Sequence, residues 1–96
     1  MTDSEKKIFA RALDHFGIRA QIMMVFEEMS ELQKELCKLV RGRKTLMEIA
    51  IAEEITDVEI MLDQMKLHFK LEELVSKFRE EKVNRLDDRL EKENNE

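Results

Sequence analysis

The sequence predicts an all-α protein, a helical bundle of about four helices, and three observations carry that prediction. Proline is absent and glycine occurs only twice, at Gly17 and Gly42, whereas sheets and tight hairpins need turn residues in larger supply. Charged residues make up 41% of the chain beside 43% hydrophobic, a balance typical of amphipathic helices and too apolar for a disordered chain. The two central segments space their apolar residues alternately three and four apart, the period of a helix face buried against a neighbour.

At 96 residues the chain is expected to form one domain, because domains rarely divide below about 100 residues. The helical core should span residues 4–90, with 91–96 as a solvated tail. A core of this size is limited, so burial shared between subunits would add to stability.

Taken in order, Ser4 is the expected N-cap of a first helix reaching about Phe16, which Gly17 interrupts. A second helix should run from Ile18 to Arg41 and end at Gly42, where glycine supplies the positive φ of a helix C-terminus. Thr45 with Glu48 three residues on reads as a capping box, starting a third helix near Leu46 and carrying it to about Leu67. No glycine or proline marks the next break, placed at His68–Lys70. The fourth helix should cover about Leu71 to Leu90.

On the second helix the seam reads Ile22, Val25, Met29, Leu32, Leu36 and Leu39. On the third it reads Met47, Ile51, Val58, Met61 and Met65, and the position that would complete it holds Glu54. A solvated-face explanation serves Glu35, Glu48 and Glu59, but it fails at a seam position. Glu54 and Asp57, three apart, share a helix face with Cβ atoms about 5–6 Å apart. Glu28 and Glu31 form a second such pair bordering the stripe of the second helix. If the two stripes pack together, four carboxylates converge at the edge of a low-dielectric core.

Bare carboxylates there would suffer desolvation and mutual repulsion. Proton uptake relieves one or two of them but not four at neutral pH. Lys34 and Lys38 are expected on the opposite side of the second helix. A divalent cation resolves the conflict most simply, and all-oxygen ligation suits Mg²⁺, Mn²⁺ or Ca²⁺, while the lack of a nearby His or Cys disfavours zinc. Di-iron bundles need Glu-x-x-His pairs, and no glutamate here has a histidine three residues later. His15 and His68 fall at expected helix ends.

Charge narrows the partners. The net charge is −5, and the stretch from Glu27 to Asp63 holds ten acidic and five basic residues against twelve of each elsewhere. A duplex-DNA binder would need a basic face, so that class is disfavoured. The single cysteine, Cys37, allows no internal disulfide and reads as a small packing residue. With no signal-peptide pattern and no apolar run near the ~20 residues of a membrane span, the cytoplasm is the expected compartment.

At these same residues the sequence resembles the MazG-like nucleotide pyrophosphohydrolases, whose signature is EExxE followed by ExxD. Here Glu27-Glu28-Met29-Ser30-Glu31 matches the first part and Glu54-Ile55-Thr56-Asp57 the second. The flanks are similar too: "HFG" at His15–Gly17, "EEITDVEIMLDQM" from Glu53, and "EEKVNRLDDRL" from Glu80, which resembles a basic segment that closes over phosphates. The likeness runs from about Phe9 to Leu90.

The resemblance implies a bundle assembled as a homodimer or homotetramer, with active sites beside subunit contacts. It implies Mg²⁺-dependent hydrolysis of a (deoxy)nucleoside triphosphate to the monophosphate and pyrophosphate, with Mn²⁺ as an alternative ion, in the role of nucleotide-pool house-cleaning. Glu28, Glu31, Glu54 and Asp57 would bind the metal. Glu27 would bind a second ion or position the attacking water. Lys82 and Arg85, with Asn84 and Arg89 beside them, would contact phosphates, although by residue type alone these are an ordinary charged helix face. Without Trp or Tyr, base stacking falls to Phe9, Phe16, Phe26, Phe69 or Phe78, of which Phe26 reads as core. Two other readings stand beside the pyrophosphohydrolase. One is a catalytically idle helical interaction module, and the other is a related all-α enzyme acting on phosphoribosyl-ATP.

Overall fold

The computed structural model describes residues 1–42 and 47–95. Four helices follow one another: α1 (Asp3–Phe16), α2 (Ile18–Val40), α3 (Met47–His68) and α4 (Glu72–Asn94), and the described residues contain no strand. The capping box read at Thr45 and Glu48 lies in part outside the described residues.

The first helix starts one turn fraction earlier than its sequence suggests. Thr2, not Ser4, is the N-cap: its hydroxyl accepts from the Glu5 amide at 3.0 Å, and the Glu5 carboxylate accepts from the Thr2 amide at 2.7 Å. That reciprocal box satisfies two otherwise orphaned donors, which a cap at Ser4 would not. Gly17 ends α1 and begins α2 at φ 86°, ψ 153°, a region that only glycine enters readily. Gly42, at φ 91°, follows the α2 C-cap Arg41 as expected.

The unmarked break between α3 and α4 is a Schellman turn. The Leu71 amide donates to the Lys66 carbonyl at 2.8 Å and the Lys70 amide to the Leu67 carbonyl at 3.3 Å. Lys70 takes the left-handed conformation, φ 57°, at the position where glycine is usual. The turn leads into an α4 that continues to Asn94, four residues beyond the expected end at Leu90. The residues of 91–95 are all exposed, so solvation does not require them to be non-helical.

α2 and α3 form the antiparallel heart of the fold, with α1 laid against both, while α4 makes few contacts with α3 and is tied to α1 by the Lys6–Glu72 ion pair at 3.5 Å. The predicted α3 seam holds: Met47 and Met61 are buried, and Ile51, Glu54, Val58 and Met65 are half-buried. The α2 seam holds in part: Ile22, Val25 and Leu32 turn inward as expected, joined by Gln21, Glu28 and Glu35, while Met29, Leu36 and Leu39 are exposed. α2 carries two apolar stripes, and its second one (Phe26, Met29, Leu36, Val40) faces outward. Phe26, read as core, is 60% exposed, and the buried phenylalanine is Phe9. Cys37, read as a packing residue, lies exposed beside that outer stripe.

The enclosed core is small. Phe9, Val25, Met47 and Met61 are the buried hydrophobic residues described, and α4 buries none at all. The radius of gyration is 16.9 Å, against about 13 Å for a compact chain of this length. No described helix is long and apolar enough to cross a membrane.

Candidate metal centre

Carboxylates collect where the middle of α2 meets the middle of α3. Because the two helices run antiparallel, Glu28 on α2 comes opposite Glu54 and Asp57, one turn apart on α3. One carboxylate oxygen from each of the three lies within 4.8 Å of the others. Glu28 and Glu54 are half-buried and Asp57 is exposed, so the cluster sits at the rim of the core and opens to solvent on one side.

The electrostatics follow from that placement. Burial raises the Glu28 carboxyl above the ordinary carboxylate range, and Asp57, Glu54, Glu27 and Glu31 raise it further. Glu54 is raised for the same leading reason, loss of water, with Asp57, Glu31, Glu35 and Glu53 adding repulsion. Its Oε2 atom is buried with no hydrogen-bond partner. Among the described residues no lysine or arginine forms an ion pair with Glu28, Glu31, Glu54 or Asp57; the described pairs are Lys6–Glu72, Lys38–Glu35 and Lys66–Asp63. A buried acceptor left bare among like charges costs free energy that a cation at its open side would recover.

Of the four predicted ligands, then, three share one small volume. Glu31 is exposed and borders it, close enough to repel Glu54. Glu27 is exposed beside Glu28. Lys82 and Arg85 lie on the exposed α4, and no described ion pair joins them to the cluster.

Two neighbours were misread from the sequence. Glu35 is not on a solvated face: its side chain is only 17% exposed, and Lys38 donates to it at 3.0 Å from the same flank of α2, not from the opposite side. The signal was present, since Gln21, Val25, Glu28, Leu32 and Glu35 alternate four and three apart. The more apolar stripe next to it masked that frame.

The donor set fits a hard divalent ion. All the oxygens are carboxylate, the sign of charge is uniform, and the open side leaves positions for water or a phosphate. Beyond Asp57 the outer face of α3, with Ile49, Ala52, Glu53 and Thr56, is open surface. Comparison with known protein families, with curated proteins and with solved structures finds no match to this chain.

Proposed function

We propose that this chain hydrolyses a (deoxy)nucleoside triphosphate to its monophosphate and pyrophosphate, with Mg²⁺ (or Mn²⁺) held by Glu28, Glu31, Glu54 and Asp57. The observation that carries the proposal is the bare, buried Oε2 of Glu54 inside a knot of carboxylates with no described basic partner. The motif resemblance to the MazG-like enzymes supports the choice of reaction.

When bound, the ion supplies Lewis-acid stabilisation for the triphosphate charge and acidifies water beside it. Without it, the carboxylates and the polyphosphate would repel one another. The water oxygen attacks the α-phosphorus, the α–β bridging P–O bond breaks, and pyrophosphate leaves with its electron pair. Glu27, exposed at the edge of the cluster, takes the water's proton. Lys82 and Arg85 stabilise charge on the departing pyrophosphate.

Those basic residues reach the site in a homodimer or homotetramer. One side of α4 carries Val75, Phe78, Lys82, Arg85, Leu86 and Arg89, while Glu73, Glu80, Asp87 and Glu91 lie on the other, as the 3.6-residue period dictates. An apolar face interspersed with bases complements the exposed apolar stripe of α2 and the acidic rim beside it. A second copy docked there would cover both surfaces, and each subunit's Lys82 and Arg85 would serve its partner's carboxylates.

The test is incubation of the protein with standard, deaminated and oxidised nucleoside triphosphates in Mg²⁺, with pyrophosphate as the readout. Release that is lost in Glu54→Gln supports the proposal. No release from any nucleotide refutes it and favours a non-catalytic interaction module, a reading that the unpartnered stripes of α2 and α4 support. Phosphoribosyl-ATP belongs in the same panel, since turnover of that compound alone would move the activity to a related pyrophosphohydrolase.

A further inference from the structure

Deep in the contact between α2 and α3 lie the two buried polar residues among those described, Gln21 (6% exposed) and Gln64 (4%). Gln21 Nε2 donates to Gln64 Oε1 at 2.7 Å, and Gln64 Nε2 reaches the Met61 sulfur at 3.8 Å. We propose that this amide pair is a register lock, a positioning pair that holds Glu28 opposite Glu54 and Asp57. The proposal rests on the reading of those carboxylates as an ion site.

The argument begins with spacing. Glu28 follows Gln21 by seven residues, and Asp57 precedes Gln64 by seven. On antiparallel helices those offsets match, so the amide pair and the carboxylate pair are two rungs of one ladder. At 1.5 Å per residue the rungs stand roughly 10.5 Å apart, and any slide that separates the amides separates the acids equally.

Among the described residues the amide pair is the one side-chain hydrogen bond joining α2 to α3. The other buried or half-buried members of the interface are apolar or acidic, flexible Met47, Met61 and Met65 beside stiffer Val25, Ile51 and Val58. Apolar contacts are non-directional, so a shift of one turn replaces one set with another. The carboxylates favour such a shift, because like charges whose oxygens lie within 4.8 Å of one another repel. The amide pair opposes it. A hydrogen bond of 2.7 Å has one alignment, and losing it leaves two buried amides unpaired. A single polar residue in an apolar helix seam fixes register in the same way, at some cost in stability.

Neither glutamine is a ligand here, and neither touches the candidate ion cluster. Their role is to keep the acids together before an ion arrives, so that binding need not also drag the helices into line. A purely apolar pair of similar shape would keep the core full and lose this constraint.

The experiment uses the full chain with Gln21→Leu/Gln64→Leu. Its expected signature is unchanged or higher melting temperature without metal, together with at least a tenfold loss of Mn²⁺ affinity by titration calorimetry. A register readout independent of metal comes from nitroxide labels at the exposed positions Ser30 and Glu59, in a Cys37→Ser background. Their distance distribution should broaden or move by about one helical turn, ~5.4 Å. If the Leu pair does not fold, Gln21→Met/Gln64→Met, closer in shape to the amides, is read the same way. An unaltered label distance overturns the lock, whatever the ion does. An altered distance with unchanged Mn²⁺ affinity also overturns it as a positioning device. Should the unmodified protein bind no Mn²⁺, the ion-site reading fails on its own, and the label distance alone decides whether the amides fix the register.

Discussion

Glu54→Gln isolates the charge on which the ion site depends. The substitution keeps the side chain's shape and removes one of three carboxylates whose oxygens lie within 4.8 Å of one another. For the unmodified protein, an ion at 100 times its Kd multiplies the folded-to-unfolded ratio about 100-fold. In a domain of 96 residues that corresponds to a rise in melting temperature of roughly 10–20 °C. Loss of a residue that merely supports a ligand weakens metal sites by about 10–100-fold, so loss of a ligand itself should reach at least the upper figure. At the same ion concentration the variant's ratio then only about doubles, a shift of roughly 2–3 °C. Without ion, the variant should melt at the same temperature or higher, because a buried negative charge among like charges is gone. Differential scanning fluorimetry with and without Mg²⁺ or Mn²⁺ reads both effects. An ion-induced shift of equal size in both proteins would refute the reasoning, and an unfolded variant would mean that Glu54 has a structural partner.

Ion-free stability should fall as pH rises from the ordinary carboxylate range upward. Glu28 and Glu54 hold protons more tightly folded than unfolded, so in that window the native state binds more protons and loses ground as they leave. The destabilisation is complete above both raised values, and the Glu28→Gln/Glu54→Gln variant should show a shallower fall in urea titrations; an identical slope would remove these groups as its cause. Lys70→Gly should stabilise the Schellman turn, since a left-handed lysine costs about 1–2 kcal/mol and glycine's extra unfolded freedom returns about 0.5–1. A gain of about 0.5–1 kcal/mol in chemical denaturation is expected, and any loss would contradict the φ of 57°. Lys82→Ala should weaken triphosphate turnover with the single chain's fold intact by circular dichroism, because Lys82 is exposed within its own subunit; unaltered kinetics would remove Lys82 from the site.

Much of the architecture is decided locally. Gly17 and Gly42 mark two of the three breaks because positive φ is a property of the residue itself, and the absence of proline lets the helices run long. Glu54 stands out in a sequence because α3 has one seam that a single charge interrupts. That seam is the one the structure uses. The pairing of Glu28 with Glu54 and Asp57 follows from helical spacing once α2 and α3 are antiparallel neighbours.

Tertiary structure decided the rest. α2 has two stripes of nearly equal claim, and hydrophobicity favours the one with Met29, Leu36 and Leu39. Packing against α3 chose the other, which buries Gln21 and leaves Glu28 and Glu35 half-covered. No local rule makes that choice, because a residue's burial depends on what sits across from it. The turn at Lys70 was equally illegible: its left-handed backbone is held by the hydrogen bonds of the Schellman turn, and lysine itself does not announce it. Local preferences thus determined the breaks at Gly17 and Gly42, whereas long-range contact determined which helix faces meet, and the candidate ion site exists only at that meeting.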